Sequence, residues 1–159
     1  MLITRKWLEM SSKQAQKGSR FEYKIRDMLR EKTGTQWERT PLSGGGTLKG
    51  DLYCVNANYY YCFECKSFAD SVIMENLLTA KSNNLFSWWE QCVREAKQMN
   101  RTPALVFKKD RGKPLIAVEE ELAINYLHIA SDLGEEYVNV FIYPFELWLA
   151  EKNAGDISG

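Results

Sequence analysis

Phe21, Ile25, Met28 and Leu29 recur at helical spacing, and this stripe predicts a helix from about Ser19, a good capping residue, to Lys32, with Gly34 as its stop. Residues 1–18 lack such a stripe and read as a polar, basic arm. After a short strand over Gln36–Thr40, the period shifts to alternation. Asp51–Val55 and Asn58–Lys66 are rich in aromatic and β-branched residues around Asn56-Ala57-Asn58, which predicts a hairpin. A second hairpin is expected where Pro103–Lys108 and Pro114–Glu119 flank Asp110-Arg111-Gly112-Lys113, a good turn sequence.

Between the hairpins, Ile73–Thr79 reads as a short helix and Ser87–Met99 as a stronger one, with Trp88, Cys92, Glu95, Ala96 and Met99 on one face. Tyr137–Tyr143 is a further strand, and Pro144 suits the first turn of a short helix ending near Ala150. Helix, three strands, helix and two more strands predict a single α/β domain, a mixed central sheet flanked by helices. The expected division is a basic arm over 1–18, the domain over 19–151 and a flexible tail over 152–159.

Composition narrows the class. The 159 residues suit one core, and 45% apolar with 26% charged residues is ordinary for a globular protein. No apolar run approaches the roughly 20 residues of a membrane span, and the start of the chain lacks the apolar stretch of a secretory signal, so an intracellular setting is expected. Cys54, Cys62, Cys65 and Cys92 form no convincing disulfide framework. The net charge is zero, yet residues 1–50 carry 11 Lys/Arg against 5 Asp/Glu, a balance of +6, which leaves −6 for the rest. A basic front third can face phosphates, although a solvated helix face would have the same composition.

Strand alternation places Cys62, Glu64 and Lys66 on one face and turns Phe63 and Cys65 the other way. Asp51 opens the neighbouring strand, just beyond the glycine-rich segment Pro41–Thr47. Its carboxylate meets Glu64 if the hairpin pairs in the register its turn suggests. Two such carboxylates call for a hard cation, Mg²⁺ or Mn²⁺ rather than zinc, and an adjacent lysine can orient water and stabilise phosphate charge. Cys62 and Cys65 are an odd number of residues apart on a strand, so they face apart and make no zinc pair. His128, the only histidine, reads as structural, as do Trp88 and Trp89. Glu119-Glu120-Glu121 reads as a solvated helix start, and the triple glycine lacks the Gly-Lys-Ser/Thr of a nucleotide-binding loop.

The order Gly50-Asp51, a hairpin crossing and Glu64-Cys65-Lys66 resembles the PD-(D/E)XK nuclease superfamily, with Gly50 where the motif name has proline. Upstream, Lys17-Gly18-Ser19-Arg20-Phe21-Glu22, Arg39, Ser43 and the glycine loop are similar to the archaeal and phage Holliday junction resolvases. The resemblance implies a restriction-endonuclease-like core and a Mg²⁺-dependent endodeoxyribonuclease, with Mn²⁺ as a substitute, acting on four-way DNA junctions in recombination, repair or replication. It further implies a homodimer, acting in a phage-infected cell. Carried onto this chain, it makes Asp51, Glu64, Glu22 and the backbone carbonyl of Cys65 metal ligands and Lys66 the water-orienting base or electrostatic stabiliser. Arg20, Arg39, Ser43 and Lys49 would contact DNA. Other readings stay open: a nuclease of the same family acting on linear, damaged or single-stranded DNA, a noncatalytic nucleic-acid-binding module of the same fold, and a protein-interaction domain.

Overall fold

The computed structural model describes residues 2–41, 47–69, 74–79, 84–132 and 137–159. Helix α1, Leu2–Thr33, buries Phe21, Ile25 and Leu29 against the sheet. It ends as expected: Gly34 adopts φ +68° and returns its N–H to the Arg30 carbonyl at 2.9 Å, a left-handed stop that costs glycine little. Its beginning differs from the expected Ser19. Residues 5–16 are helical yet exposed, so strong helix formers and the absence of proline extend the helix without help from packing.

Strands β1 (Trp37–Arg39), β2 (Leu52–Cys54) and β3 (Tyr61–Phe68) form an antiparallel meander. Helices α2 (Met74–Thr79) and α3 (Asn84–Gln98) follow, and β4 (Thr102–Lys109) lies parallel to β3. Strands β5 (Leu115–Val118), β6 (Leu127–Ser131) and β7 (Val138–Pro144) complete a seven-stranded mixed sheet in the order β1-β2-β3-β4-β5-β7-β6. Strand β6 has no counterpart in the sequence reading. As an edge strand with mostly exposed side chains, it has no buried face to impose alternation. His128 stacks on Phe141 there, with ring centroids 4.5 Å apart.

Two apolar layers cover the sheet. Phe21, Ile25 and Leu29 of α1 pack with Trp37, Phe63 and Trp148 on one face, while Leu85, Phe86, Trp89 and Cys92 of α3 pack with Leu105 and Phe107 on the other. Helix α4, Phe145–Glu151, follows Pro144 as expected. Among the described residues, no helix is long and apolar enough to cross a membrane.

Two local expectations fail. The tail is docked rather than frayed: a 3-10 turn over Ala154–Asp156 buries Ile157 completely, Ser158 bridges to Tyr59, and Gly159 N–H reaches the Asn58 carbonyl at 2.9 Å. A single apolar residue in a polar stretch gave no periodic signal. Glu119–Glu121 begin no helix, because this stretch is tied down locally. Tyr143 donates its hydroxyl to the Glu120 carbonyl, and Lys152 Nζ pairs with the Glu120 side chain, both at 2.9 Å.

Candidate active site

The β2–β3 register sets the site. Leu52 pairs with Phe63, and Asp51 N–H donates to the Phe63 carbonyl at 2.7 Å, so Asp51 lies beside Glu64. Gly50 makes this approach possible. It has φ +79°, and a Cβ there would lie 2.9 Å from Cys62 Sγ and 3.0 Å from the Phe63 carbonyl oxygen. Proline, confined to φ near −65°, could not occupy the position, which accounts for the departure from the motif's name.

Asp51 Oδ2 accepts the Cys65 N–H at 2.7 Å. A strand residue presents its N–H and C=O to the same side, so the Cys65 carbonyl also faces the Asp51 side of β3. The Glu64 side chain is buried on the opposite face of the strand from Phe63, and Lys66 Nζ lies 3.8 Å from Glu64 Oε2. From α1, Glu22 forms an ion pair with Arg39 of β1, whose guanidinium also lies over the Tyr23 ring.

Helix α3 contributes two residues that were not assigned to the site from the sequence. Gln91 Oε1 accepts from Lys66 Nζ at 3.1 Å, and Gln91 Nε2 donates to Glu95 Oε1 at 3.2 Å. Glu95 Oε2 accepts the Gly50 N–H at 3.0 Å. Glu95 and Gln91 thus link the glycine turn to the lysine. Their signal was available only as a face: Glu95 falls on the buried side of α3, where a carboxylate needs a partner.

Three carboxyls are held above the usual range. Burial pushes Glu64 up strongly, reinforced by its hydrogen bond to Glu95 and by the charge of Asp51, with Lys66 opposing. Burial also raises Asp51, against the Cys65 N–H and the Glu64 hydrogen bond. Glu22 is raised by burial and by Asp51, against Arg39. For Glu95 burial acts upward, but hydrogen bonds from Glu64, Gln91 and Gly50 outweigh it and hold the carboxyl low. Glu64 therefore keeps the proton and Glu95 the charge.

The model of the phage putative PDDEXK endonuclease family matches residues 13–157. The chain belongs to this family. Protein D14 of Escherichia phage T5 is 40% identical over 154 aligned residues, spanning 89% of this chain and 95% of that protein. Among solved structures, the chain is similar to Hjc of Archaeoglobus fulgidus, a Holliday junction resolvase from an archaeal hyperthermophile. That match has a TM-score of 0.42 and 14% identity, and covers 82% of this chain and 91% of the other.

Nucleases of this superfamily generally use divalent metals. Among the described residues, no three His, Cys, Asp or Glu side chains converge as a ligand group. Their carboxyls have other partners: Glu22 pairs with Arg39, Glu64 is hydrogen-bonded to Glu95, and Asp51 accepts from Cys65. The donor set nevertheless fits a hard cation. Asp51 and Glu64 are buried carboxyls at hydrogen-bond range, and a divalent ion can take the place of the proton that now relieves their repulsion. Of the expected DNA contacts, Arg20 is exposed on α1, Arg39 is in the Glu22 ion pair, and Lys49 is half-buried beside Met99, whose sulfur accepts its N–H. Ser43 lies outside the described residues.

Proposed function

We propose that this endonuclease hydrolyses DNA phosphodiester bonds with Mg²⁺, or Mn²⁺ in its place, at branched four-way junctions, and that it acts as a homodimer inside the phage-infected host. The observation that supports the chemistry best is the meeting of Asp51, Glu64 and Lys66 through the β2–β3 register. Junction preference is supported by the order of Lys17–Glu22, Arg39 and the glycine loop, and the dimer by a junction's need for two symmetric cuts.

Asp51, Glu64 and the Cys65 carbonyl would hold the cation, and Glu22 would serve as a further acid if released from its ion pair with Arg39, which would then be free for a phosphate. The bound ion supplies Lewis acidity and a more acidic water. Lys66, steadied by Gln91, orients the attacking water and stabilises charge on the phosphate. Glu95 positions both ends of this arrangement.

Cleavage of a labelled four-way junction, a matched linear duplex and a single strand, each with Mg²⁺ or EDTA, tests the reading. Paired, metal-dependent cuts confined to the junction are expected. Metal-dependent cutting of linear DNA alone would refute the junction assignment, and junction binding with no cutting under any metal would refute catalysis.

Glu95→Gln is expected to slow cleavage by about 10- to 100-fold, the cost of misplacing reacting groups by about 1 Å. The new amide cannot accept from both Gly50 N–H and Gln91 Nε2, because one of its ends is a donor. Single-turnover rates at saturating DNA check this. A rate equal to wild type would remove Glu95 from the machinery.

A further inference from the structure

A cleft of about 410 Å³ opens between α1 and the β4–β5 turn, lined by Lys17, Arg20, Phe21 and Lys24 on one side and by Ser67, Lys108, Asp110 and Arg111 on the other. Five of these residues are cations and one is an acid, although the whole chain is neutral. We propose that this cleft is a binding track for the nucleic-acid phosphate backbone next to the scissile bond. The proposal rests on the nuclease reading above.

Position supports it first. Phe21 of the lining immediately precedes Glu22 on α1, whose carboxyl feels the charges of Asp51 and Lys66, so the cleft approaches the candidate active site from the α1 face. Alternation turns Ser67 to that same face, away from Lys66. Its floor is also built. Lys108 Nζ sits over the Phe21 ring, 5.8 Å from the centroid. Ser67 Oγ is buried with no hydrogen-bond partner among the described residues.

The turn supplies an independent observation. Two non-glycine residues described have positive φ: Asn100, a type that tolerates it, and Arg111 at +62°. Arginine in the left-handed region is strained where glycine would not be, and a residue kept against strain points to a use for its side chain. In Arg111 that side chain is a guanidinium, which binds phosphate with paired donors.

One acid tempers the site. Asp110 forms an ion pair with Lys17 across the cleft, and both groups are partly exposed. Asp110 thereby neutralises one cation and repels a passing phosphate. Removing it strengthens the track, whereas removing any of the cations weakens it.

Fluorescence anisotropy of a labelled junction and a labelled duplex, titrated with salt in EDTA, tests the proposal. Each lost phosphate contact on duplex DNA lowers the log–log salt slope by about 0.9. Lys24→Ala and Arg111→Gly should each show that decrement and weaker binding. Arg111→Gly should also melt at or above the wild-type temperature, because glycine relieves the turn, so its weaker binding cannot be ascribed to unfolding. Asp110→Asn should bind more tightly than wild type. Lys97→Ala, on α3 at the opposite face of the sheet, should leave the slope unchanged. Wild-type slopes in Lys24→Ala and Arg111→Gly, or equal losses in Lys97→Ala, would overturn the cleft while leaving the nuclease reading intact. Absence of salt-sensitive DNA binding by the wild type would overturn both.

Discussion

Asp51→Asn is expected to cut cleavage by about 1,000-fold, the scale of losing a principal transition-state contact, and at the same time to raise the melting temperature of the metal-free protein. The two effects have one cause. Burial already pushes the Asp51 carboxyl up beside Glu64, so its charge costs stability that the amide would recover, while the amide oxygen can still accept the Cys65 N–H. A gain of about 1 kcal/mol would appear as about 2–4 °C for a chain of this length. Adding Mg²⁺ should stabilise the wild type and leave the variant unmoved. Lys66→Ala should lose cleavage to a similar extent with little change in melting, because its ammonium is only half-buried and its bond to Gln91 is replaceable by water. Cleavage rates and melting curves on the same preparations check both variants. An active Asp51→Asn protein would remove that residue from catalysis.

Gly50→Ala is the second large effect. The backbone there has φ +79°, and the added methyl would meet the Phe63 carbonyl oxygen at 3.0 Å, an atom fixed by the strand. Strain of this kind costs about 1–3 kcal/mol, or about 2–12 °C of melting temperature at this chain length. Activity should fall further than stability. Gly50 N–H is held by Glu95, and the next residue is Asp51, so a shift large enough to accept the methyl displaces the carboxylate, at a cost of about 100-fold in rate. Melting temperature and single-turnover cleavage together check it. A variant with wild-type activity would show that the Gly50 turn does not position Asp51.

The hairpin of the candidate site was legible because its signal is local. A period of two over Tyr61–Lys66 fixes which side chains share a face, and Asn56–Asn58 fixes where the chain turns, so Asp51, Glu64 and Lys66 group together from the sequence alone. Glu95 and Gln91 could not be grouped with them, because which turn of α3 meets β3 depends on how the helix docks across the sheet. The same limit applies to Lys108 and Arg111, brought beside α1 only by the parallel β3–β4 pairing. Elements without a buried stripe were the ones misread. The first half of α1 and strand β6 are mostly exposed, so propensity and edge pairing decide them rather than pattern. The tail's one buried apolar side chain is Ile157, and its other anchors are the Ser158–Tyr59 bridge and the Gly159 N–H bond to Asn58; one apolar residue has no period.

Cutting is expected to depend on a metal ion held by Asp51 and Glu64. Anomalous diffraction from crystals grown with Mn²⁺ tests it most directly. One peak or more is expected within coordination distance of the Asp51 and Glu64 carboxylates and the Cys65 carbonyl, with Glu22 turned from Arg39 toward it, and no such peak in Asp51→Asn crystals. Saturating Mn²⁺ that supports cleavage yet scatters from another acidic group, such as Glu119–Glu121, would contradict it.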